Sequence, residues 1–102
     1  MKYQLVLQFR AECTQDFDEL VFLEVLLIKI LPSISEVDGH DIGSDEFNIF
    51  VLTNQPRESF GAAEKIIQQH HPQRPLKAAY RELDKDEFVI LWPPGLQQFK
   101  IG

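Results

Sequence analysis

Residues 38–53 read Asp-Gly-His-Asp-Ile-Gly-Ser-Asp-Glu-Phe-Asn-Ile-Phe-Val-Leu-Thr, and this stretch decides the fold. Gly43-Ser44-Asp45 consists of residue types that favour a turn. Residues 46–53, which follow directly, are of types that favour a β-strand. The stretch therefore predicts a β-hairpin whose turn lies near residues 43–45.

A helical segment is predicted before this hairpin, over residues 17–31. Asp16 is predicted to cap it, with Glu19 three residues on completing a capping-box-like pair. Pro32 ends the helix, because proline disrupts a helix interior.

A second helix and three strands account for the rest of the pattern. The second helix opens at residues 54–56, where Pro56 is tolerated in the first turn. Residues 2–9 alternate polar and apolar side chains, which predicts a strand. Residues 76–83 and 87–92 predict a second hairpin across residues 84–86.

This order is β-α-β-β-α-β with one extra C-terminal strand. It predicts an α+β fold, a ferredoxin-like α/β plait with two helices packed on one face of an antiparallel sheet. The first and third strands are expected in the interior, with one hairpin at each edge. We expect the other face, which carries Gln4, Val6 and Gln8, to be left uncovered. Which strand of the second hairpin lies beside the first strand stays open.

Length and composition predict a single globular domain spanning residues 1–102. A domain commonly has about 100–200 residues, and this chain has 102. It is 44% hydrophobic and 25% charged, which is ordinary globular usage. The single cysteine, Cys13, excludes an intrachain disulfide, and the alternating amino-terminal residues lack the apolar block of a signal peptide. We therefore expect a cytoplasmic protein.

The charge balance argues against two classes of partner. Sixteen acidic residues oppose ten basic ones, so the net charge is −6. Nucleic acid and anionic membrane surfaces both attract cationic proteins, and we expect neither as a partner. Glu24 and Lys29 interrupt the longest apolar stretch, which is too short to span a bilayer.

Three segments of the chain form one pattern, namely Asp38-Gly39-His40-Asp41-Ile42-Gly43-Ser44-Asp45-Glu46-Phe47-Asn48-Ile49-Phe50, Ala79-Tyr80-Arg81 and Leu91-Trp92-Pro93. This pattern resembles a group of small uncharacterised bacterial proteins. The resemblance implies a plait-like fold and a bacterial origin. It implies no activity and no catalytic residue.

The first helix is apolar over more of its surface than a helix on a sheet requires. Its polar side is narrow and carries Asp18, Glu19 and Lys29. Two apolar residues, Phe22 and Leu26, lie on the same side. A helix packed on a sheet needs an apolar stripe little wider than ~100°. Two interpretations stay open: either the sheet, the second helix and the carboxy-terminal tail enclose this helix, or it forms a subunit interface.

Several polar residues are candidates for a ligand or partner surface. Glu24 falls between apolar positions, where it is a buried general base, reaches the rim of the apolar face, or pairs with a lysine or arginine. The acidic residues of the predicted hairpin, together with His40, are the densest set of oxygen and imidazole ligands in the chain. The spacing of these residues fits no calcium loop, so no metal is expected. The candidates are Glu24, Asp38, His40, Asp41, Asp45, Glu46, Asn48 and Trp92.

No catalytic motif, phosphate loop or cofactor signature occurs in the chain, and we expect no cofactor. The leading hypothesis is a non-catalytic association or binding module that acts as a homodimer, with a protein partner or small ligand on the open sheet face. One alternative is a small cofactor-independent dimeric plait enzyme that uses Glu24, His40, Asn48 or Tyr80. Another is an acidic immunity-type protein that binds a basic partner.

Overall fold

The computed structural model describes residues 1–101 and contains five strands and two helices in that range. In chain order they are β1 (Tyr3–Arg10), α1 (Thr14–Ile30), β2 (Ser35–Gly43), β3 (Glu46–Thr53), α2 (Pro56–His70), β4 (Leu76–Glu82) and β5 (Val89–Trp92).

The strands form one antiparallel sheet in the order β2-β3-β1-β4-β5. This is an α+β architecture consistent with a plait-like fold. The hairpin predicted near residues 43–45 is confirmed, since β2 ends at Gly43 and β3 begins at Glu46. β1 and β3 lie in the interior as predicted, and β4 is the strand beside β1.

The core lies between the helices and one face of the sheet. Leu5 and Leu7 of β1 face Val51 and Ile49 of β3, and these four side chains are buried completely. Alternation along each strand sends every second residue to this side. The helices contribute Leu20, Leu23, Leu27, Phe60, Ala63, Ile66 and Ile67. Full burial of one such aliphatic or aromatic side chain contributes about 1.5–3 kcal/mol.

Helix α1 begins earlier than its sequence pattern predicts. It starts at Thr14 with Cys13 at the N-cap, so the prediction that Asp16 caps a helix beginning at residue 17 was wrong. Asp16 lies in the first turn, where its carboxylate accepts a hydrogen bond from the backbone N–H of Glu12 at 2.9 Å. An acidic residue is favourable there as well, because the helix dipole is positive at this end. Within residues 1–101, neither helix is long and apolar enough to cross a membrane.

The sheet face opposite the helices is not left open, and that expectation was wrong. Val6, Asn48 and Ala79 point to this face, and each is completely buried. Residues 93–101 return from β5 toward β1, where the Gln8 side-chain amide donates to the backbone carbonyl of Lys100 at 2.8 Å. The carboxy-terminal segment thus covers part of the face that a bare plait exposes.

Candidate functional site

A nearly buried carboxylate and an imidazole meet between α1 and β2. Glu24 Oε1 lies 2.9 Å from His40 Nδ1, and Glu24 is only 8% exposed. The His40 ring also stacks on Phe47, with ring centroids 4.7 Å apart and planes inclined by 19°. The structure therefore brings together two of the residues that the sequence suggested separately.

A β-bulge turns His40 toward the helix. Val37 pairs with Val51 and Gly39 pairs with Phe50, so Asp38 has no counterpart on β3. Gly39 has φ 134°, a conformation that favours glycine. One extra residue exchanges the two faces of a strand, so His40 lies opposite Ile49 on the core side. Strict alternation predicts Asp38 and His40 on one side, and the bulge overturns that prediction.

Carboxylate and imidazole together can hold a proton at a defined place. A carboxylate that accepts from Nδ1–H fixes the imidazole tautomer and leaves Nε2 as a base. A substrate would also need a cavity beside that nitrogen. Two cavities, of about 440 and 370 Å³, lie elsewhere: one borders Phe9, Glu46 and Lys77, and the other borders residues 71–75. The bond itself links α1 to the edge strand β2.

A second polar group lies on the opposite face of the sheet, under the carboxy-terminal segment. The Gln8 amide donates to Glu46 Oε2 at 2.6 Å and to Asn48 Oδ1 at 3.0 Å. The amide of Asn48 in turn donates to Glu46 at 3.4 Å. These bonds satisfy the completely buried Asn48 side chain, as burial of an amide requires.

The remaining candidates do not join either group. Asp38, Asp41 and Asp45 are exposed along β2 and its turn. Asp45 has φ 58° in the hairpin turn, and aspartate tolerates this left-handed conformation. The geometry of the turn therefore accounts for an aspartate at this position. Trp92 lies on β5, at the sheet edge farthest from β2. The eight candidates are thus dispersed over both faces and both edges of the sheet.

Metal-ligating groups do not converge in the described chain. No cluster of three His, Cys, Asp or Glu side chains among residues 1–101 has the geometry to hold a metal ion. Cys13 is exposed at the N-cap of α1.

Two polar networks were not anticipated from the sequence. Ser59 is completely buried and donates to Thr53 Oγ1 at 2.7 Å, and its hydroxyl lies 2.6 Å from that of Ser35. Arg74 pairs with Asp16 and Glu19 and so joins the segment after α2 to the start of α1. Both join residues far apart in the chain, and residue types alone give no signal for such pairing.

The outer face of α1 is the largest unshielded apolar feature of the helices. Phe22 and Ile28 are each 60% exposed, and Val21 and Val25 are each 40% exposed. Neither the sheet, α2 nor residues 93–101 enclose this side of the helix. The interpretation that the molecule's own parts surround α1 is therefore wrong.

No family model, curated protein or solved structure matches this chain. Any function proposed for the chain therefore rests on the geometry of the molecule alone.

Proposed function

We propose that the protein is a non-catalytic association module that works as a homodimer, on a ferredoxin-like α/β plait. The observation that carries this proposal is the outer face of α1, defined by Val21, Phe22, Val25 and Ile28. These residues stand on the solvent side of a helix whose opposite side already supplies the core.

Hydration of this face carries a free-energy cost. Removing apolar surface from water contributes roughly 25 cal/mol per Å². Contiguous exposed apolar patches on small proteins commonly mark interaction surfaces. A helix packed on one side normally has charged or polar residues on the other, and α1 departs from that rule over its central two turns.

The terminal hairpin is a weaker candidate for the interface. Val89 and Trp92 are partly exposed on the edge strand β5. That strand has only four residues, and its register shifts at Ala78 and Ala79 of β4. A short, irregular edge discourages strand addition from another chain. The association surface is therefore α1.

A second copy of the chain fits this face better than a charged partner does. Each chain has a net charge of −6, so two copies repel one another except where acidic groups are sparse. The central turns of the outer α1 face have no exposed charge, whereas β2 presents Glu36, Asp38 and Asp41. Two copies that meet through α1 keep these acids in water.

The test is the mass in solution. Sedimentation equilibrium from 1 to 100 µM is expected to show a dimer. Phe22→Glu is expected to give a monomer, because it places a charge in the centre of the contact. Leu83→Glu is the matched control, since Leu83 is also an exposed apolar side chain but lies after β4. A monomeric wild type at 100 µM overturns the proposal.

A further inference from the structure

Four residues of α1 form a narrow stripe along its solvent side. Asp18, Phe22, Val25 and Lys29 are spaced by four, three and four residues. At 3.6 residues per turn they fall within about 60° of the helix circumference. All four are exposed. This spacing is that of the contact seam between two packed helices.

The two ends of the stripe carry opposite charges that have no partner among the residues that the structure describes. Neither the Asp18 nor the Lys29 side chain makes a hydrogen bond or ion pair with another residue in the range 1–101. Other charged groups nearby are engaged, since Asp16 and Glu19 bind Arg74. The stripe is thus an apolar centre with one free anion and one free cation at its ends.

The spacing of these charges is symmetric. The midpoint of the stripe lies between Phe22 and Val25. At a rise of 1.5 Å per residue, Asp18 and Lys29 each lie about 8 Å from that midpoint, on opposite sides. A helix turned end over end about the midpoint therefore places its Lys29 level with the first helix's Asp18.

We infer that two copies pack α1 against α1 antiparallel, about a two-fold axis at this midpoint. Asp18 then faces the partner's Lys29 at one end, and Lys29 faces the partner's Asp18 at the other. Phe22 packs against the partner's Val25 between them. Helices in contact lie about 8–10 Å apart, which is within reach of both charged side chains. This inference rests on the proposed dimer and specifies its geometry.

The competing parallel arrangement is disfavoured by the same residues. Parallel helices in register place Asp18 beside the partner's Asp18, and Lys29 beside the partner's Lys29. Both contacts are then between like charges, which oppose association. Only the antiparallel arrangement pairs every charge on the stripe, and a two-fold axis repeats each pair.

Charge reversal tests this geometry. The variants are Asp18→Lys, Lys29→Asp and the double variant Asp18→Lys with Lys29→Asp, with the dimer Kd measured by sedimentation equilibrium in low salt. Each single variant converts two attractive pairs into two repulsive ones, so its Kd is expected to rise about tenfold or more. The double variant restores opposite charges, and its Kd is expected within about threefold of the wild type.

Lys65→Asp is the matched control, because Lys65 is an exposed lysine on α2 that makes no ion pair with the described residues. Its Kd is expected to equal that of the wild type. Circular dichroism melting of every variant separates weaker association from a weaker helix.

The outcomes distinguish the geometry from the dimer itself. Loss of affinity in both single variants with recovery in the double variant supports the antiparallel stripe. A dimer whose Kd is unchanged in both single variants overturns this geometry and leaves the proposed homodimer standing. A double variant whose dimer Kd is as high as that of the single variants also overturns this geometry and leaves the proposed homodimer standing. A monomeric wild type at 100 µM overturns both.

Discussion

Glu24 Oε1 lies 2.9 Å from His40 Nδ1, and this bond joins the middle of α1 to the edge strand β2. It is the point at which the most apolar helix of the chain meets its most acidic strand. The carboxylate is nearly buried and the imidazole is partly exposed. The bond therefore satisfies a group that would be costly to bury alone.

His40→Ala is expected to destabilise the fold by about 1–3 kcal/mol, because it leaves the Glu24 carboxylate without its donor. It also removes the ring that stacks on Phe47. Urea denaturation measures the change. The control is His70→Ala, since His70 is exposed at the end of α2. Equal midpoints for the two variants would contradict the prediction.

A double-mutant cycle separates this bond from the packing of the ring. Glu24→Gln and His40→Ala are combined in one chain. A coupling of about 0.5–3 kcal/mol is expected between residues in direct contact. Strictly additive effects would show that the bond itself contributes nothing to stability.

Local sequence patterns were sufficient for the order of the elements. The turn at residues 43–45 follows from residue types that adopt turns, and the end of α1 follows from Pro32. The start of α1 was placed three residues late because Asp16 is favourable both as a cap and in a first turn. Residue preference does not distinguish the two positions.

The candidate site depended on features that are not local. Period-two alternation sends His40 away from Glu24, and only the bulge at Asp38 reverses this. The covering of the second sheet face depends on where residues 93–101 return, which no periodicity indicates. By contrast, the sequence indicated that α1 is more apolar than one sheet requires, but it left open whether the molecule's own parts or a second subunit cover the excess.

Ser59→Ala is expected to cost about 1–2 kcal/mol of folding stability. The Ser59 hydroxyl joins β2, β3 and α2, since it bonds Thr53 and lies 2.6 Å from the Ser35 hydroxyl. Its loss leaves the Ser35 hydroxyl without this partner. Ser33→Ala, in the exposed turn after α1, is the control and is expected to change stability by less than about 0.5 kcal/mol. Chemical denaturation of both variants measures the difference in the free energy of unfolding. If Ser59→Ala lowers this free energy no more than Ser33→Ala does, the prediction is refuted.

Phe99→Ala is expected to loosen the carboxy-terminal segment. The Phe99 ring lies 5.0 Å from the Phe88 ring and is partly buried, so its removal should cost less than the ~3–5 kcal/mol of a fully buried phenylalanine. Binding of a hydrophobic dye should increase as the face with Val6 and Ala79 opens. Gln98→Ala, at an exposed neighbour, should leave dye binding unchanged. Unchanged dye binding in Phe99→Ala would show that other contacts hold the segment.

The pH dependence of stability should have a contribution from His71, at the C-cap of α2. Burial, together with the nearby Arg74 guanidinium, lowers the pKa of His71 below its usual range. The unfolded chain, whose histidines have pKa values near ~6.5, then binds the proton more readily than the folded chain does. His71 therefore contributes stability at pH values above ~6.5. This contribution is lost as the pH falls from ~6.5 toward the lower pKa that His71 has in the folded chain.

In the variant His71→Gln, the loss of stability between pH 7.5 and pH 5 should be smaller than in the wild type. Urea denaturation midpoints at each pH measure this loss. Identical slopes in the wild type and in His71→Gln would contradict the assignment to His71.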